Sequence, residues 1–569
     1  MARVAEYLFF SIIPAVVLLH LLASPYTKVE ESFHIQAIHD ILTYGIPFRN
    51  VSNTLQTQFD HFSFPGPVPR TFTGALVVSA ISKPFITILD NKVDKQLLGA
   101  TAMIPIINGF FNSFALFSYA LGLRRAFGKL TAYWYLIFQA SQFHLIYYTS
   151  RTLSNMFAFG ITTLALRYIL PEALAVEECA RRSRLFLCLV TVAGIIFRSE
   201  LVLFLATHTV FLYAAGRINI RRDIIPAGAA GLLIGLTITV AIDSFFWQQF
   251  PLWPELTSFM FNVMSGQASA WGTQPWYFYF TNAIPRLLLN PLTYCIGIPF
   301  SLLQPSSQRP AVFLLVPSLA YVAVYSLQPH KEWRFIVYVI PPLTAAAALG
   351  TSYIWTHRNK SLFYRFLSLA IVLSTALSFL VSTFILLPAS STNYPGAHAL
   401  HILHKRADGS EPAISVHLGN LACQTGVTRF LQLQLPPQAS SADGLVVSPG
   451  RGRSLWSYDK TEDESLKSTS EFWDRFDYVL AEDELDIVSR VGPSRWEIFD
   501  VANGFGGIRV LPPGEKGTGT VERDLLAALL GNGGAQLWDR GKDLARRYVT
   551  RGWWVEMKVE PKIKILKRV

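Results

Sequence analysis

A short polar segment, residues 328–334, lies between two apolar runs and holds His330, Lys331 and Arg334 within five residues. Lysine supplies a point charge, and arginine supplies a planar fork of donors that fits a phosphate group. The cluster therefore suits an anionic headgroup at a membrane surface. A cytoplasmic charge anchor is the alternative. The order of the later spans, however, places this segment on the side opposite the other basic clusters, which favours a functional site.

Two adjacent carboxylates, Glu30 and Glu31, follow the first apolar run. An ionised group near lipid is costly unless it faces a cavity or a partner. Phe33, Ala37 and Ile41 form an apolar stripe at helical spacing, which predicts an interfacial helix lying along the membrane. The carboxylates therefore belong either to a functional site or to the wetted face of an ordinary juxtamembrane helix.

The same loop, residues 28–70, ends in a proline-rich turn. Three prolines and a glycine between residues 65 and 69 predict a stiff, non-helical conformation that presents Asp60, His61 and Arg70. A rigid turn suits side chains that must hold a sugar. Such turns are also common as simple connectors.

A longer loop, residues 244–284, contains Trp253, Glu255 and Trp271 among several other aromatic residues. Aromatic faces stack on the C–H surfaces of sugars, and they also form belts at membrane interfaces. Further polar sets occur at the ends of predicted spans, and these are Arg151 with Asn155 and Arg198 with Glu200. Structural pairing explains these sets as well as a catalytic role does.

The composition excludes a water-soluble globule. Of the 569 residues, 51% are hydrophobic and 15% are charged, and long apolar runs alternate with short basic or proline-rich breaks. Backbone polar groups in a bilayer must be satisfied inside helices, so an all-α polytopic membrane protein is predicted. The net charge of +11 fits basic cytoplasmic loops, and no motif indicates a nucleic-acid partner. Four scattered cysteines predict neither a disulfide framework nor a zinc site.

Apolar stretches predict eleven or twelve membrane spans within residues 1–387. They are 7–23, 72–90, 98–121, 130–148, 152–170, 185–216, 224–243, 286–303, 310–327, 335–355 and 362–387. Two short helices meeting at a polar turn are expected in 185–216, because Arg198 and Glu200 lie at its middle. Residues 388–569 are more polar and contain strand-like pieces at 413–418, 478–481 and 507–511, which predicts a soluble α/β-type domain on the non-cytoplasmic side.

Strings of residues between about positions 27 and 340 resemble the family-22 glycosyltransferases. In chain order they are KVEESF, QFDHFSFPGPVPRT, SRTLSN, FRSE, LWPE, SAWGTQPW and HKEWRF, and CQTGVTRF at 423–430 adds to them. HKEWRF is a strong family signal. KVEESF and the FPGPVPRT turn are most similar to the family's α-1,6-mannosyltransferases. The sequence departs from the family pattern at Trp333 and His34.

The resemblance implies a GT-C fold with a lumenal C-terminal domain and an inverting mannosyl transfer in the endoplasmic reticulum membrane. The implied donor is dolichyl-phosphate mannose. The implied acceptor is a dolichyl-diphosphate-linked oligosaccharide, the N-glycan precursor, which receives its eighth mannose in α-1,6 linkage on the lumenal side. The expected partners are these two substrates and membrane lipids, and neither a cofactor nor a metal ion is expected.

Residue roles follow from this implied reaction. Glu30 is expected to be the general base that accepts the proton of the acceptor hydroxyl, with Glu31 as the alternative. His330, Lys331 and Arg334 are expected to bind the phosphate of the leaving dolichyl phosphate. The residues expected to bind the acceptor or sugar are Asp60, His61, Arg70, Arg151, Arg198, Glu200, Trp253, Glu255 and Trp271.

Two other functions remain open. One is an α-1,2-mannosyltransferase of the same family, acting on the N-glycan precursor or on a glycolipid anchor. The other is a non-catalytic transporter or scaffold, for which inverted repeats or paired broken helices would be expected. The sequence shows no such symmetry.

Overall fold

The computed structural model describes residues 2–89, 103–266, 269, 271–407, 413–433, 455–483, 495–517 and 520–569. The predicted spans 72–90 and 98–121 both extend into residues 90–102, which lie outside the described part. The described residues fall into two compact units. The first unit comprises Met1–His20, Phe62–Val78 and Pro105–Ser382, and the second comprises Leu21–His61, Ser79–Ile104 and Thr383–Val569.

Helices dominate the chain as far as residue 406. The α-helices are α1 (Ala2–Ala23), α2 (Val29–Tyr44), α3 (Val51–Gln58), α4 (Asp60–Ser63), α5 (Thr73–Leu89), α6 (Met103–Phe127), α7 (Lys129–Ser141), α8 (Phe143–Thr149), α9 (Ser154–Ile169), α10 (Val176–Ile196), α11 (Leu201–Ala214), α12 (Ile225–Trp247), α13 (Pro254–Phe259), α14 (Ile284–Leu288), α15 (Ile298–Leu303), α16 (Pro305–Tyr325), α17 (Ile340–Thr356), α18 (Leu362–Val381), α19 (Leu387–Ser391), α20 (Pro395–Arg406), α21 (Asn420–Gln424), α22 (Glu464–Lys467), α23 (Ser470–Trp473) and α24 (Thr520–Tyr548). Single π-helical turns occupy Ile220–Ile224, Met260–Met264, Tyr279–Ala283, Thr293–Gly297 and Ser382–Leu386, and 3₁₀ turns occupy Trp333–Val339 and Arg429–Leu431.

Several of these helices are long and apolar enough to cross a membrane. Within the described residues there are five, and they are Met103–Phe127, Ile220–Trp247, Pro305–Tyr325, Trp333–Thr356 and Leu362–Ser391. Tyr279–Leu288 and Thr293–Leu303 are long and apolar enough only when taken together, and a bend of 112° between them makes the pair either a broken span or a re-entrant loop. Three shorter apolar helices are also present. The protein is therefore a multi-pass helical membrane protein, as predicted, while the count of eleven or twelve spans stays a prediction.

The structure confirms one predicted break in the spans and adds another. Helices α10 and α11 meet at a polar turn that contains Arg198 and Glu200, as expected for the stretch 185–216. The predicted single span 286–303 is instead broken between α14 and the π-turn at Thr293, because Pro291 has no backbone N–H to donate. Asn290 caps the new helix start by accepting from the N–H of Leu292 at 3.0 Å.

The C-terminal part of the second unit contains a five-stranded mixed sheet. Its strands are β1 (Ala413–Leu418), β2 (Leu455–Asp459), β3 (Tyr478–Ala481), β4 (Trp496–Leu511) and β5 (Trp554–Arg568), in the order β2-β1-β3-β5-β4. Strand β1 is parallel to β2 and β3, whereas β5 is antiparallel to β3 and β4. The strand-like pieces predicted at 413–418, 478–481 and 507–511 all lie in this sheet.

Alternate residues of the strands fill a layer on each face of the sheet. One layer joins Val416, Leu480 and Ile565 to Leu400 and Leu403 of helix α20. The other joins Val479 and Leu566 to the aromatic side chains of the α23 segment, which are Phe472, Trp473 and Phe476. The period of two along each strand therefore gives this part of the chain a core of its own.

Helix α17 is the most buried of the membrane-spanning helices, and small residues let its neighbours approach it closely. A Cβ atom on Gly350 would overlap the carbonyl oxygen of Gly297. A Cβ atom on Gly297 would in turn lie 2.9 Å from the carbonyl oxygen of Ala347. Backbone atoms cannot move aside as a flexible side chain can. Neither Gly297 nor Gly350 therefore has room for a larger residue.

We expect Gly350→Ala to lower the free energy of unfolding by about 1–3 kcal/mol, because overfilling a close-packed crossing forces the backbone apart. Thermal unfolding of the purified protein in detergent measures the change. Gly228→Ala in α12 is the matched control, since its added methyl group would meet no atom within 4 Å. Equal melting temperatures for the two variants would contradict the packing argument.

Candidate active site

The basic segment at residues 330–334 is organised around one carboxylate, Glu332. Arg334 contacts it through two nitrogens, with Nε 2.6 Å from Oε2 and Nη2 2.7 Å from Oε1. His330 Nε2 lies 3.0 Å from the same Oε1. Two of the three residues predicted to bind phosphate, His330 and Arg334, thus contact a built-in anion. Lys331 and Arg334 together outnumber Glu332, so the segment keeps a net positive charge.

Backbone contacts hold this segment to the end of the aromatic loop. Lys331 Nζ donates to the carbonyl oxygens of Gln274 at 2.9 Å and Gln328 at 2.5 Å. The N–H of Gln274 donates to the carbonyl oxygen of Pro329 at 3.0 Å, and His330 Nδ1 lies 2.9 Å from the carbonyl oxygen of Gly272. Lys331 is buried, and loss of solvent lowers the pKa of its ammonium group. The loop 272–274 therefore fixes the orientation of the basic segment.

A buried polar cluster lies directly behind the basic segment. Glu200 Oε1 accepts from Arg198 Nε at 2.9 Å, from Asn155 Nδ2 at 2.9 Å and from the hydroxyl of Tyr338 at 3.2 Å. Asn155 Nδ2 also lies 3.3 Å from the carbonyl oxygen of Arg334. Arg198 and Glu200, which the sequence left between structural pairing and sugar binding, are thus paired with each other inside the protein.

Glu255 in helix α13 and Trp253, which immediately precedes that helix, contact the backbone beside the same cluster. The carboxylate of Glu255 accepts from the N–H of Ser199 at 2.7 Å, and the indole N–H of Trp253 donates to the carbonyl oxygen of Ile195 at 2.9 Å. Burial raises the pKa of Glu255 to about 7, and the nearby Arg198 opposes that rise. The α13 residues therefore brace the turn between α10 and α11. Trp271, by contrast, is 59% exposed.

Arg151 and Arg70 have opposite environments in the first unit. Arg151 is 1% exposed, and its guanidinium lies 4.5 Å from the ring centroid of Tyr147. Arg70 has an exposed side chain, while its carbonyl oxygen accepts from the indole N–H of Trp247 at 3.0 Å. Of these two candidates, Arg70 is the exposed one.

Asp243, at the end of α12, is a buried carboxylate that sequence analysis did not select. It accepts from the N–H of Phe72 at 2.7 Å, from the hydroxyl of Thr71 at 3.3 Å and from the hydroxyl of Thr239 at 2.6 Å. These bonds hold the chain that follows the proline-rich turn. Its position as the one carboxylate in the apolar run 224–243 could have identified Asp243 from the sequence.

The acid pair lies in the first turn of α2, in the second unit. Glu31 is buried, and its Oε1 accepts from the N–H of Lys28 at 3.2 Å, so it caps the start of the helix. Glu30 is half-buried, and its carboxylate forms no hydrogen bond or ion pair with the described residues. The predicted helix is present, but from His34 onward most of its residues are buried. Residues 429 and 430 of the C-terminal part contact it at Gln36 and His39.

Asp60 and Asp40 receive two cations from the C-terminal part. Lys460 Nζ lies 2.7 Å from Asp60 Oδ1, and Arg429 Nη1 lies 2.5 Å from Asp40 Oδ1. The N–H of Asp60 donates to Asp40 Oδ2 at 2.7 Å, which links the two pairs. His61, the next residue, is buried against the ring of Phe59. Asp40 and Arg429 were missed, although Arg429 lies inside the CQTGVTRF string.

No group of three or more His, Cys, Asp or Glu side chains among the described residues is arranged to hold a metal ion. The expectation that the reaction requires none stays a prediction. The predicted residues therefore divide into two sets. One set, around Glu332 and Glu200, belongs to the first unit, and the other, around Glu30 and Asp40, belongs to the second.

Comparison with solved structures identifies the fold. The chain is similar to the crystal structure of ArnT from Cupriavidus metallidurans bound to undecaprenyl phosphate, with a TM-score of 0.52 and 13% identity over 76% of this chain and 85% of that one. At this identity the likeness concerns the fold alone. The chain has the GT-C fold, as predicted.

Comparison with curated proteins gives sequence relatives along most of the chain. A Drosophila melanogaster protein named Dol-P-Man:Man(7)GlcNAc(2)-PP-Dol alpha-1,6-mannosyltransferase is 36% identical over 73% of this chain, and the match spans 57% of that relative's length. The Saccharomyces cerevisiae protein of the same name is 31% identical over 87% of this chain and 88% of its own length. A human GPI alpha-1,2-mannosyltransferase 3 is 28% identical over 42% of this chain. The family model described as Alg9-like mannosyltransferase matches residues 8–432, so the chain belongs to the Alg9-like mannosyltransferase family.

Proposed function

We propose that this protein transfers mannose from dolichyl-phosphate mannose, in α-1,6 linkage, to a dolichyl-diphosphate-linked oligosaccharide that already carries seven mannoses. One observation carries the proposal. Relatives from four organisms, 31–36% identical over 73–87% of this chain, share a name with this donor, acceptor and linkage. The product would be the N-glycan precursor with its eighth mannose.

The acid pair supplies the base. As the acceptor hydroxyl attacks the anomeric carbon, its proton passes to a carboxylate, and the bond from that carbon to the phosphate oxygen breaks. Glu30 suits this task because its oxygens have no hydrogen-bond donor among the described residues. Glu31 already accepts a backbone N–H at the helix start, so it suits an orienting role.

The basic segment supplies the cations for the leaving dolichyl phosphate, whose negative charge grows during the transfer. Lys331 is held in place by two carbonyl oxygens, and Arg334 uses two of its five N–H donors on Glu332. The remaining donors of Arg334 are available to phosphate oxygens. His330 adds a third donor when its contact with Glu332 is exchanged for one with phosphate.

The predicted sugar-binding residues separate into accessible and buried ones. Arg70 and Trp271 are exposed and suit direct contact with the acceptor or the mannose. Asp60 and His61 lie in the first loop with partners of their own. Arg151 and Glu200 are buried, and Arg198, Trp253 and Glu255 are half-buried and bonded to other protein groups, which supports a role in orienting the accessible groups. The lipid donor brings its own leaving group, and the cations of the basic segment neutralise its phosphate, so we expect the transfer to need neither a cofactor nor a metal ion.

The reaction takes place on the lumenal side of the endoplasmic reticulum membrane. The order of the predicted spans places residues 328–334 on the side opposite the basic cytoplasmic clusters. Asn50 is exposed and begins an Asn-Val-Ser acceptor sequence for N-glycosylation, which agrees with a lumenal first loop.

Linkage analysis tests the proposed reaction. The purified full chain is given dolichyl-phosphate mannose and a lipid-linked oligosaccharide with seven mannoses, and we expect one added mannose in α-1,6 linkage. An oligosaccharide that lacks the branch receiving this mannose is the control and should remain unchanged. An α-1,2 product would contradict the proposal and favour the function of the glycolipid-anchor relatives.

Substitution of the base should affect turnover without affecting donor binding. Glu30→Gln keeps the shape of the side chain but cannot accept the proton, so we expect kcat to fall by about 10²–10⁴-fold. The dissociation constant for dolichyl-phosphate mannose should stay near the wild-type value. Glu177→Gln, at the exposed first turn of α10, is the matched control and should leave kcat unchanged.

Wild-type turnover in Glu30→Gln would contradict the assignment of Glu30 as the base. Glu31 would then be the base, and Glu31→Gln would test it.

For Lys331→Ala we expect a raised dissociation constant for dolichyl-phosphate mannose, because a cation near the phosphate is lost. Unchanged donor affinity in Lys331→Ala would remove the phosphate role from the basic segment.

A further inference from the structure

Residues 429–430 of the C-terminal part lie against the flank of helix α2. The N–H of Arg429 donates to the side-chain oxygen of Gln36 at 3.1 Å. Its guanidinium reaches Asp40 Oδ1 at 2.5 Å and the carbonyl oxygen of Gln58 at 2.9 Å through Nη1, and the hydroxyl of Tyr44 at 3.4 Å through Nη2. One side chain therefore joins the last two turns of α2 to the end of α3.

The partner of Arg429 is deeply buried. Asp40 is 1% exposed, and it also contacts His39 Nδ1 at 2.9 Å and the N–H of Asp60 at 2.7 Å. A buried carboxylate is stable only when cations and donors surround it. Nearby acids hold the guanidinium of Arg429 charged and raise its pKa, although burial alone would lower it. The position of α2 therefore depends on a cation that the C-terminal part supplies.

Other contacts reinforce this attachment at both ends of α2. The ring of Phe430 lies 4.9 Å from that of His39, near the end of the helix. Before the helix begins, Lys28 Nζ lies 6.0 Å from the ring centroid of Tyr394, and Tyr26 lies 5.2 Å from His398. Both ends of the helix that carries Glu30 and Glu31 are thus held by residues beyond 390.

We propose that Arg429 is a positioning residue that fixes α2, and with it the carboxylates of Glu30 and Glu31, and that this is what the C-terminal part contributes to mannosyl transfer. The inference rests on the proposed role of the acid pair as the base. A base must stay within hydrogen-bond reach of the hydroxyl that it deprotonates. Loosening α2 therefore lowers kcat, while donor affinity, which depends on the basic segment of the first unit, stays the same.

The experiment uses the full chain in lipid nanodiscs. For Arg429→Met we expect kcat to fall by about 10- to 100-fold, as for a base displaced by about 1 Å, with an unchanged dissociation constant for dolichyl-phosphate mannose. Arg406→Met is the matched control, because Arg406 is an exposed residue of the same part that pairs with Asp500 and not with α2. A kcat within about twofold of the wild type in Arg429→Met would overturn the proposal.

If Arg429→Met fails to fold, Arg429→Lys provides a second test of the proposal. Lysine keeps the charge beside Asp40 but has one nitrogen in place of the fork, so it cannot reach Gln58 and Tyr44 together. We expect a melting temperature near that of the wild type together with a reduced kcat. A loss of kcat that only accompanies a loss of folded protein would show a purely structural role and would contradict the proposal.

Hydrogen exchange separates this inference from the proposed function. In Arg429→Lys the amides of α2 should exchange about tenfold faster, while those of α17 should not change. Unchanged protection in α2 refutes the positioning role whatever the activity. A wild-type protein that transfers no mannose refutes the proposed function instead, and the exchange experiment still decides whether Arg429 holds α2.

Discussion

The cost of removing a charge from water governs where ionisable side chains can lie in a protein with this much apolar surface. A charge placed inside such a protein has to meet an opposite charge or a set of donors there. Glu200 meets Arg198 and Asn155 in the first unit, and Asp40 meets Arg429 in the second. The second pair joins residues 389 positions apart. Such pairs determine which distant segments of the chain must come together.

The chemically active segments are attached to these buried pairs. The side-chain amide of Asn155 donates to the carbonyl oxygen of Arg334, so the cluster around Glu200 helps to hold the basic segment in place. Helix α2 is tied in the same way to Arg429. Buried polar networks of this kind specify one arrangement because a half-satisfied network is less stable than none. The resulting rigidity is what a transfer reaction needs, since its groups must already be oriented when the charge develops.

Local patterns predicted the local structure well. The polar interruption at Arg198–Glu200 predicted the turn between α10 and α11, and the strand-like pieces predicted at 413–418 and 478–481 are strands. The 112° bend inside the predicted span 286–303 was not expected, because Asn290-Pro291 was not recognised as a break inside an apolar run. Helix α2 was expected to have a wetted face, but its covering by residues 429–430 depends on contacts that no local pattern contains.

The sequence by itself determined that the protein is helical and membrane-bound, that its C-terminal part forms a sheet, and which short segments carry acids and cations. These properties follow from composition and from the spacing of apolar and polar residues over a few positions. Each stretch of the chain carries such a pattern independently of the rest. Only the tertiary structure decided that Asn155 and Tyr338 reach Glu200 and that Arg429 reaches Asp40. These contacts join residues that are far apart in the sequence. A charged side chain needs such a partner only when it is buried, and it is buried only after the chain has folded.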